Sequence, residues 1–159
     1  MREVGYSSDS VNIADIHHIA HMTTLMDRYF SFHGRLARMS FFVRNVYLDI
    51  ALMIFMVASI PLFSNGSRAL WWAGVGELII SVVVVGAATV SLMVRRLHDL
   101  GLAGYHVIWV GAAQIGWTVL SYQSDYLLVA GLPFFAICVW LIFYPGNEGA
   151  NGYGQQAVD

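Results

Sequence analysis

Apolar stretches as long as a bilayer is thick dominate this chain. Residues 45–63, 70–94, 104–120 and 126–144 consist mostly of Leu, Ile, Val, Ala, Phe, Met and Trp, with few charges among them. A helix rises about 1.5 Å per residue, so roughly 20 apolar residues cross a hydrocarbon core of about 30 Å. Hydrocarbon supplies no hydrogen-bond partners, so backbone groups must bond to one another, and an apolar stretch of this length does so as a helix. The fold expected is all-α: a polytopic membrane protein built as a four-transmembrane-helix bundle. Composition agrees. The chain is 58% hydrophobic and 11% charged, whereas soluble domains carry about 25% charged residues. That little polar surface does not cover a globule in water.

Pro61 fits the end of the first segment, and Ser64-Asn65-Gly66-Ser67 reads as a turn into the second. Gly111, Gln114 and Gly116 dilute the third segment, whose alternative is a re-entrant or interfacial stretch. All 8 basic residues are Arg. Arg28, Arg35, Arg38, Arg44, Arg95 and Arg96 flank the segments on one side, and Arg68 alone lies on the other. Arginine excess marks the cytoplasmic side. We therefore expect a multi-pass protein of the inner (plasma) membrane with both termini in the cytoplasm. Trp71, Trp72, Tyr122 and Tyr126 fall at the outer interface, and Tyr105, Trp140 and Tyr144 nearer the inner one. Residues 1–15 are polar and contain no apolar core of a cleaved leader. The lone Cys138 excludes an internal disulfide.

Ahead of the first span, Ile16, Ile19, Met22, Met26, Tyr29 and Phe30 recur at helical spacing between polar residues. This predicts an N-terminal amphipathic interfacial helix on the inner membrane face, or one packed on the bundle's end. Residues 1–11 have the composition of a disordered segment. The chain thus divides into a cytoplasmic N-terminal segment (1–29), a membrane domain (30–156) and a short tail (157–159). His17 and His21 share a helix face beside His18 and have the chemistry of zinc or copper ligands. No Cys lies near them, so a wet polar face is the reading preferred and no metal site is expected.

Between the apolar segments lie polar patches. They are Phe32-His33-Gly34-Arg35-Leu36-Ala37-Arg38, then Arg95-Arg96-Leu97-His98-Asp99-Leu100-Gly101-Leu102-Ala103-Gly104-Tyr105, then Gly146-Asn147-Glu148-Gly149-Ala150-Asn151-Gly152-Tyr153-Gly154. Their order over roughly residues 30–156 resembles the domain of unknown function 805 family of bacterial inner-membrane proteins. That family carries a GR-x-x-R motif, an RRLHD-x-G-x-SGW centre and a Gly-rich N-x-YG tail. This chain departs from the pattern at Ala103 in place of Ser, Tyr105 in place of Trp and Gln155 in place of Pro. The resemblance implies a location and an architecture, and no reaction.

The expected topology gathers Arg35, Arg38, Arg95, Arg96, His98, Asp99, Asn151 and Tyr153 on the cytoplasmic face. One reading is structural: Asp99 pairs with an arginine, the remaining arginines meet lipid phosphates, and Asn151 and Tyr153 tie down the tail. The other is a dedicated anion site that takes an anionic phospholipid headgroup or a small phosphate through bidentate arginine contacts. The intramembrane polar residues are Asp49, Glu77 and Gln114. Asp49 lies about 6 Å in from the cytoplasmic end of its span, where Arg44, Arg95 or Arg96 would meet it. Glu77 and Gln114 fall at similar depths and are expected to hydrogen-bond, with a small transporter or channel using Glu77 and Gln114 as the functional alternative. Ala112 and Gly116 form a small-xxx-small pair suited to helix contact inside the bundle, in a homo-oligomer or with a membrane protein partner. There is no nucleophile set, P-loop, dinucleotide fingerprint or zinc-hydrolase motif. We therefore expect a non-enzymatic protein without cofactor that binds membrane lipid or a protein and not nucleic acid. A lipid-modifying enzyme using His98 and Asp99 as an acid–base pair ranks last.

Overall fold

A computed structural model describes residues 24–123 and 127–158. Among these residues the chain is all α, with no strand. After helical residues 24–30 come α1 (Arg38–Ser64), α2 (Arg68–Asp99), a 3-10 turn (Gly104–His106), α3 (Val107–Gln123) and α4 (Leu127–Phe143). The His17, His18 and His21 run, and most of the expected amphipathic helix, lie outside the described residues.

The helices pair as two hairpins. Asn65-Gly66-Ser67 reverses the chain so that α1 packs along α2, and α3 packs along α4. The hairpins meet through α1 with α4, and through the 3-10 turn and α3 with α2. Helices α1 and α2, of 27 and 32 residues, are long and apolar enough to cross a membrane. Both begin before their apolar runs do, because the runs mark hydropathy and Arg38 and Arg68 are themselves helical. Helix α1 also continues past Pro61 to Ser64. Pro61 removes only one hydrogen bond close to a helix end, where the loss is least disruptive.

Packing is uneven along the hairpins. Leu36, Phe41, Leu92, Leu97 and Leu141 form the buried core, joined by Tyr29, Met93, Leu102, Ile137 and Ile142. All of this lies toward the end where α1 begins and α2 and α4 finish. Elsewhere the long helices present apolar side chains outward: Met53, Ile54 and Val57 on α1, and Ile79, Ile80, Val82 and Val83 on α2. Only 6% of the most apolar window of α1 and 33% of that of α2 is buried.

Candidate functional site

The end of α2 is where the chain's distant parts converge. The helix closes with a left-handed Gly101, φ +75°. Gly101 N–H donates to the His98 carbonyl at 3.1 Å, and Leu102 N–H reaches back to the Leu97 carbonyl at 2.9 Å. This pair of bonds satisfies carbonyls that a helix C-terminus leaves open. A side chain at Gly101 would be strained at that φ and would also strike the Asn147 amide.

Two other segments also donate to carbonyls at this helix end. From the lead-in to α1, Leu36 N–H donates to the Arg95 carbonyl at 3.1 Å. From the C-terminal tail, Asn147 N–H donates to the Asp99 carbonyl at 2.8 Å, and the Asn151 side-chain amide donates to the His98 carbonyl at 2.9 Å. Asn151 also accepts from Tyr153 N–H at 2.9 Å, which turns the chain so that the Tyr153 ring stacks on His98. The rings lie 3.9 Å apart and 4° from parallel. His98 Nδ1 lies 3.2 Å from the Gly34 carbonyl.

At the centre is a buried charge cluster. Asp99 Oδ1 accepts from Arg35 Nε at 3.0 Å, and Asp99 Oδ2 accepts from Arg96 at 2.5 Å. The side chains are 1% exposed for Arg35, 0% for Arg96 and 4% for Asp99. Buried charges are tolerated only when paired and fully hydrogen-bonded. One carboxylate cannot neutralise two guanidinium groups, and backbone carbonyls supply the rest. Arg35 also donates to the carbonyls of Gly149, at 2.5 Å, and Asn147. Arg96 donates to the carbonyls of Leu141, at 2.7 Å, and Tyr144. Leu141 and Tyr144 sit at the C-terminal end of α4, where open carbonyls carry the negative end of the helix dipole. Arg96 therefore caps α4, and Arg35 holds the tail. The Asp99 carboxylate lies so close to Gly146 that a methyl group there would overlap it.

The structure thus brings together Arg35, Arg96, His98, Asp99, Asn151 and Tyr153. Arg38 is exposed and lines a groove of about 210 Å³ over Arg96 and Asp99, beside Pro145, Asn147 and Glu148. Arg95 turns elsewhere and donates to the Arg28 carbonyl at 3.2 Å. His98 and Asp99 have different partners and share no hydrogen bond among the described residues.

The intramembrane polar residues differ from expectation. Among the described residues Asp49 pairs with no arginine. It lines a groove with Asn45, Phe42, Thr89 and Cys138, whereas Arg44, five positions earlier and about 140° around α1, points to the Arg28 carbonyl. Arg96 is taken by Asp99, one turn further along α2. Glu77 lies beside Phe55, Ser81 and Val84 in an apolar groove against α1, and does not bond to Gln114. Gln114 has interactions of its own. Similar depth in the chain did not give a shared face.

Sequence reasoning missed Arg28 and Arg44 as neighbours of Arg95. It also missed the part played by Asn147 and by the carbonyls at the end of α4. The Gly146–Gly154 motif pointed to the tail, but no sequence signal links positions 28, 44 and 95.

Fold and site together define a class: an all-α protein with two helices able to cross a membrane, and a buried arginine–aspartate clasp joining the lead-in, the end of α2 and the tail. The chain belongs to the family described as "Protein of unknown function (DUF805)", whose model matches residues 29–155. The match contains every residue of the clasp and leaves Arg28 just outside. No curated protein and no solved structure matches the chain.

Proposed function

We propose that this is a non-enzymatic integral membrane protein that crosses the cytoplasmic membrane four times, keeps both ends in the cytoplasm, and binds anionic phospholipid headgroups at that face. The observation that carries this reading is the division of the molecule into an apolar shaft and a basic end. The flanks of α1 and α2 are apolar and outward-facing, unlike those of a buried core helix. Arg28, Arg35, Arg38, Arg44, Arg95 and Arg96 gather where α1 begins and α2 ends, and Arg68 lies at the other end. At 32 residues, α2 is about 48 Å long, well beyond a hydrocarbon core of about 30 Å. Its last turns, which carry the clasp, then stand in the headgroup layer. Helices α3 and α4, at 17 residues each, reach about 26 Å and suit a short crossing.

Within that reading the clasp is structural. Arg35 and Arg96 are already engaged, so a headgroup meets the arginines outside the clasp. The test is native mass spectrometry of the full chain released from mild detergent after exposure to equal amounts of phosphatidylglycerol and phosphatidylcholine. Retention of phosphatidylglycerol in clear preference is expected. Equal retention of both lipids, or of neither, would overturn the reading.

A further inference from the structure

We propose that Arg28, Arg44 and Arg95 form a phosphate-binding site, separate from the clasp, which takes the phosphate of an anionic lipid. The proposal rests on the lipid-binding reading above and names the residues that carry it. Two arginines far apart in sequence converge on one atom. Arg44 donates to the Arg28 carbonyl oxygen at 3.1 Å and Arg95 donates to the same oxygen at 3.2 Å. One carbonyl dipole cannot neutralise two full positive charges, and Arg28 adds a third. Both Arg95 and Arg28 repel the Arg44 guanidinium.

Among the described residues no carboxylate relieves this repulsion. Among the described residues the ion pairs formed by Arg35 and Arg96 are both with Asp99, and Asp27, next to Arg28, is exposed and pairs with none of the three arginines. The clasp compensates its arginines with a carboxylate and carbonyls, and this cluster does not. In addition, Arg95 Nε is buried without a hydrogen-bond partner among the described residues. A buried donor left unpaired is costly, and such groups in folded proteins call for an explanation. A phosphate oxygen would satisfy it. Guanidinium groups present planar forks of donors that match phosphate in two-pronged fashion.

There is space beside Arg28 and Arg44, while Arg95 reaches the same Arg28 carbonyl from outside that space. A concavity of about 290 Å³ is lined by Arg28, Arg44, Tyr29, Ser40 and Tyr47, with Met39 and Val43 completing its wall. Hydroxyl donors and apolar carbons thus adjoin the cations, as suits a headgroup with acyl chains below it. Arg44 and Arg95 stand at the margins of the apolar segments, at the depth of the phosphate layer in the topology proposed above.

The experiment compares the full-length protein with its Arg44→Gln/Arg95→Gln variant in the phosphatidylglycerol and phosphatidylcholine retention assay, and adds an arm with millimolar inorganic phosphate as competitor. Arg68→Gln, at the opposite end, is the control. The wild type and Arg68→Gln should prefer phosphatidylglycerol, and the double variant should lose roughly tenfold or more of that preference, the scale of one charge-assisted contact. Unaffected retention in the presence of inorganic phosphate assigns the site to lipid. Competition assigns the same site to a soluble phosphate ester and overturns the lipid assignment. If the wild type prefers phosphatidylglycerol and the double variant does so equally, this site is refuted while the broader reading stands. If the wild type shows no preference, both fail. Should the double variant misfold, Arg28→Gln, whose side chain is exposed, answers the same question, and undiminished preference in it overturns the proposal.

Discussion

Asp99 is a single carboxylate on which two buried arginines depend. Its removal would leave both cations without their anionic partner in a place from which water is excluded, and breaking a buried ion pair from one side costs about 3–5 kcal/mol. We expect Asp99→Asn to unfold at markedly lower temperature than wild type in the same detergent. Asp49→Asn, whose carboxylate makes no ion pair among the described residues, should change the melting temperature far less. Circular dichroism melts of the two variants check this, and equal shifts would refute the role assigned to Asp99. The sequence marked the polar patch around Asp99 and named pairing with an arginine as one reading. It did not tell which arginine. Arg95 and Arg96 are adjacent and so diverge by about 100° around α2. One enters the clasp and the other faces Arg28. A one-residue phase on a helix is invisible without knowing what packs on each side.

At the scale of elements, helix ends explain the site better than helix faces do. The end of α2 is closed by Gly101, and the end of α4 is capped by Arg96. The tail is laid over the first through Asn147, Asn151 and Tyr153. Tyr153→Ala removes the ring stacked on His98, a contact worth about 0.5–1.5 kcal/mol. The tail should then detach more often while the helices persist. Limited proteolysis should cut the variant faster, roughly two- to tenfold, in residues 146–156, with the helical circular dichroism spectrum unchanged. An unchanged cutting rate would show that the backbone bonds to α2 hold the tail without the ring. Apolar periods in the sequence located α1 through α4 well, because burial in lipid or core selects the same residue types along a whole helix. They missed the helical turns beyond the first two apolar runs, where arginines continue the helix. They also gave no register between helices, so depth alone wrongly paired Glu77 with Gln114.

At the scale of the whole molecule, the proposed topology has a direct test. In a Cys138→Ser background, single cysteines at Ala157 and at Asn65 should react with a membrane-impermeant maleimide from opposite sides. The residue 157 site should be labelled only in inverted vesicles and the residue 65 site only in intact cells. Labelling of both from one side would refute four crossings with cytoplasmic ends. The arginine asymmetry that motivates this was legible in the sequence because it depends on composition near segment ends and not on contacts. The clasp was legible only as a set of residues. Its geometry joins positions as much as 114 apart, a closure that no local pattern encodes.

That closure has a consequence for how the protein is made. Translation is vectorial, and the helices α1 and α2 leave the ribosome long before Asn147 and Gly149 do. Until residues 141–149 emerge, Arg96 lacks the carbonyls of Leu141 and Tyr144, and Arg35 lacks those of Asn147 and Gly149. A nascent chain that stops short of these residues therefore carries Arg35 and Arg96 without their carbonyl partners. The tail thus closes a clasp whose Arg35 was made 112 residues before Asn147.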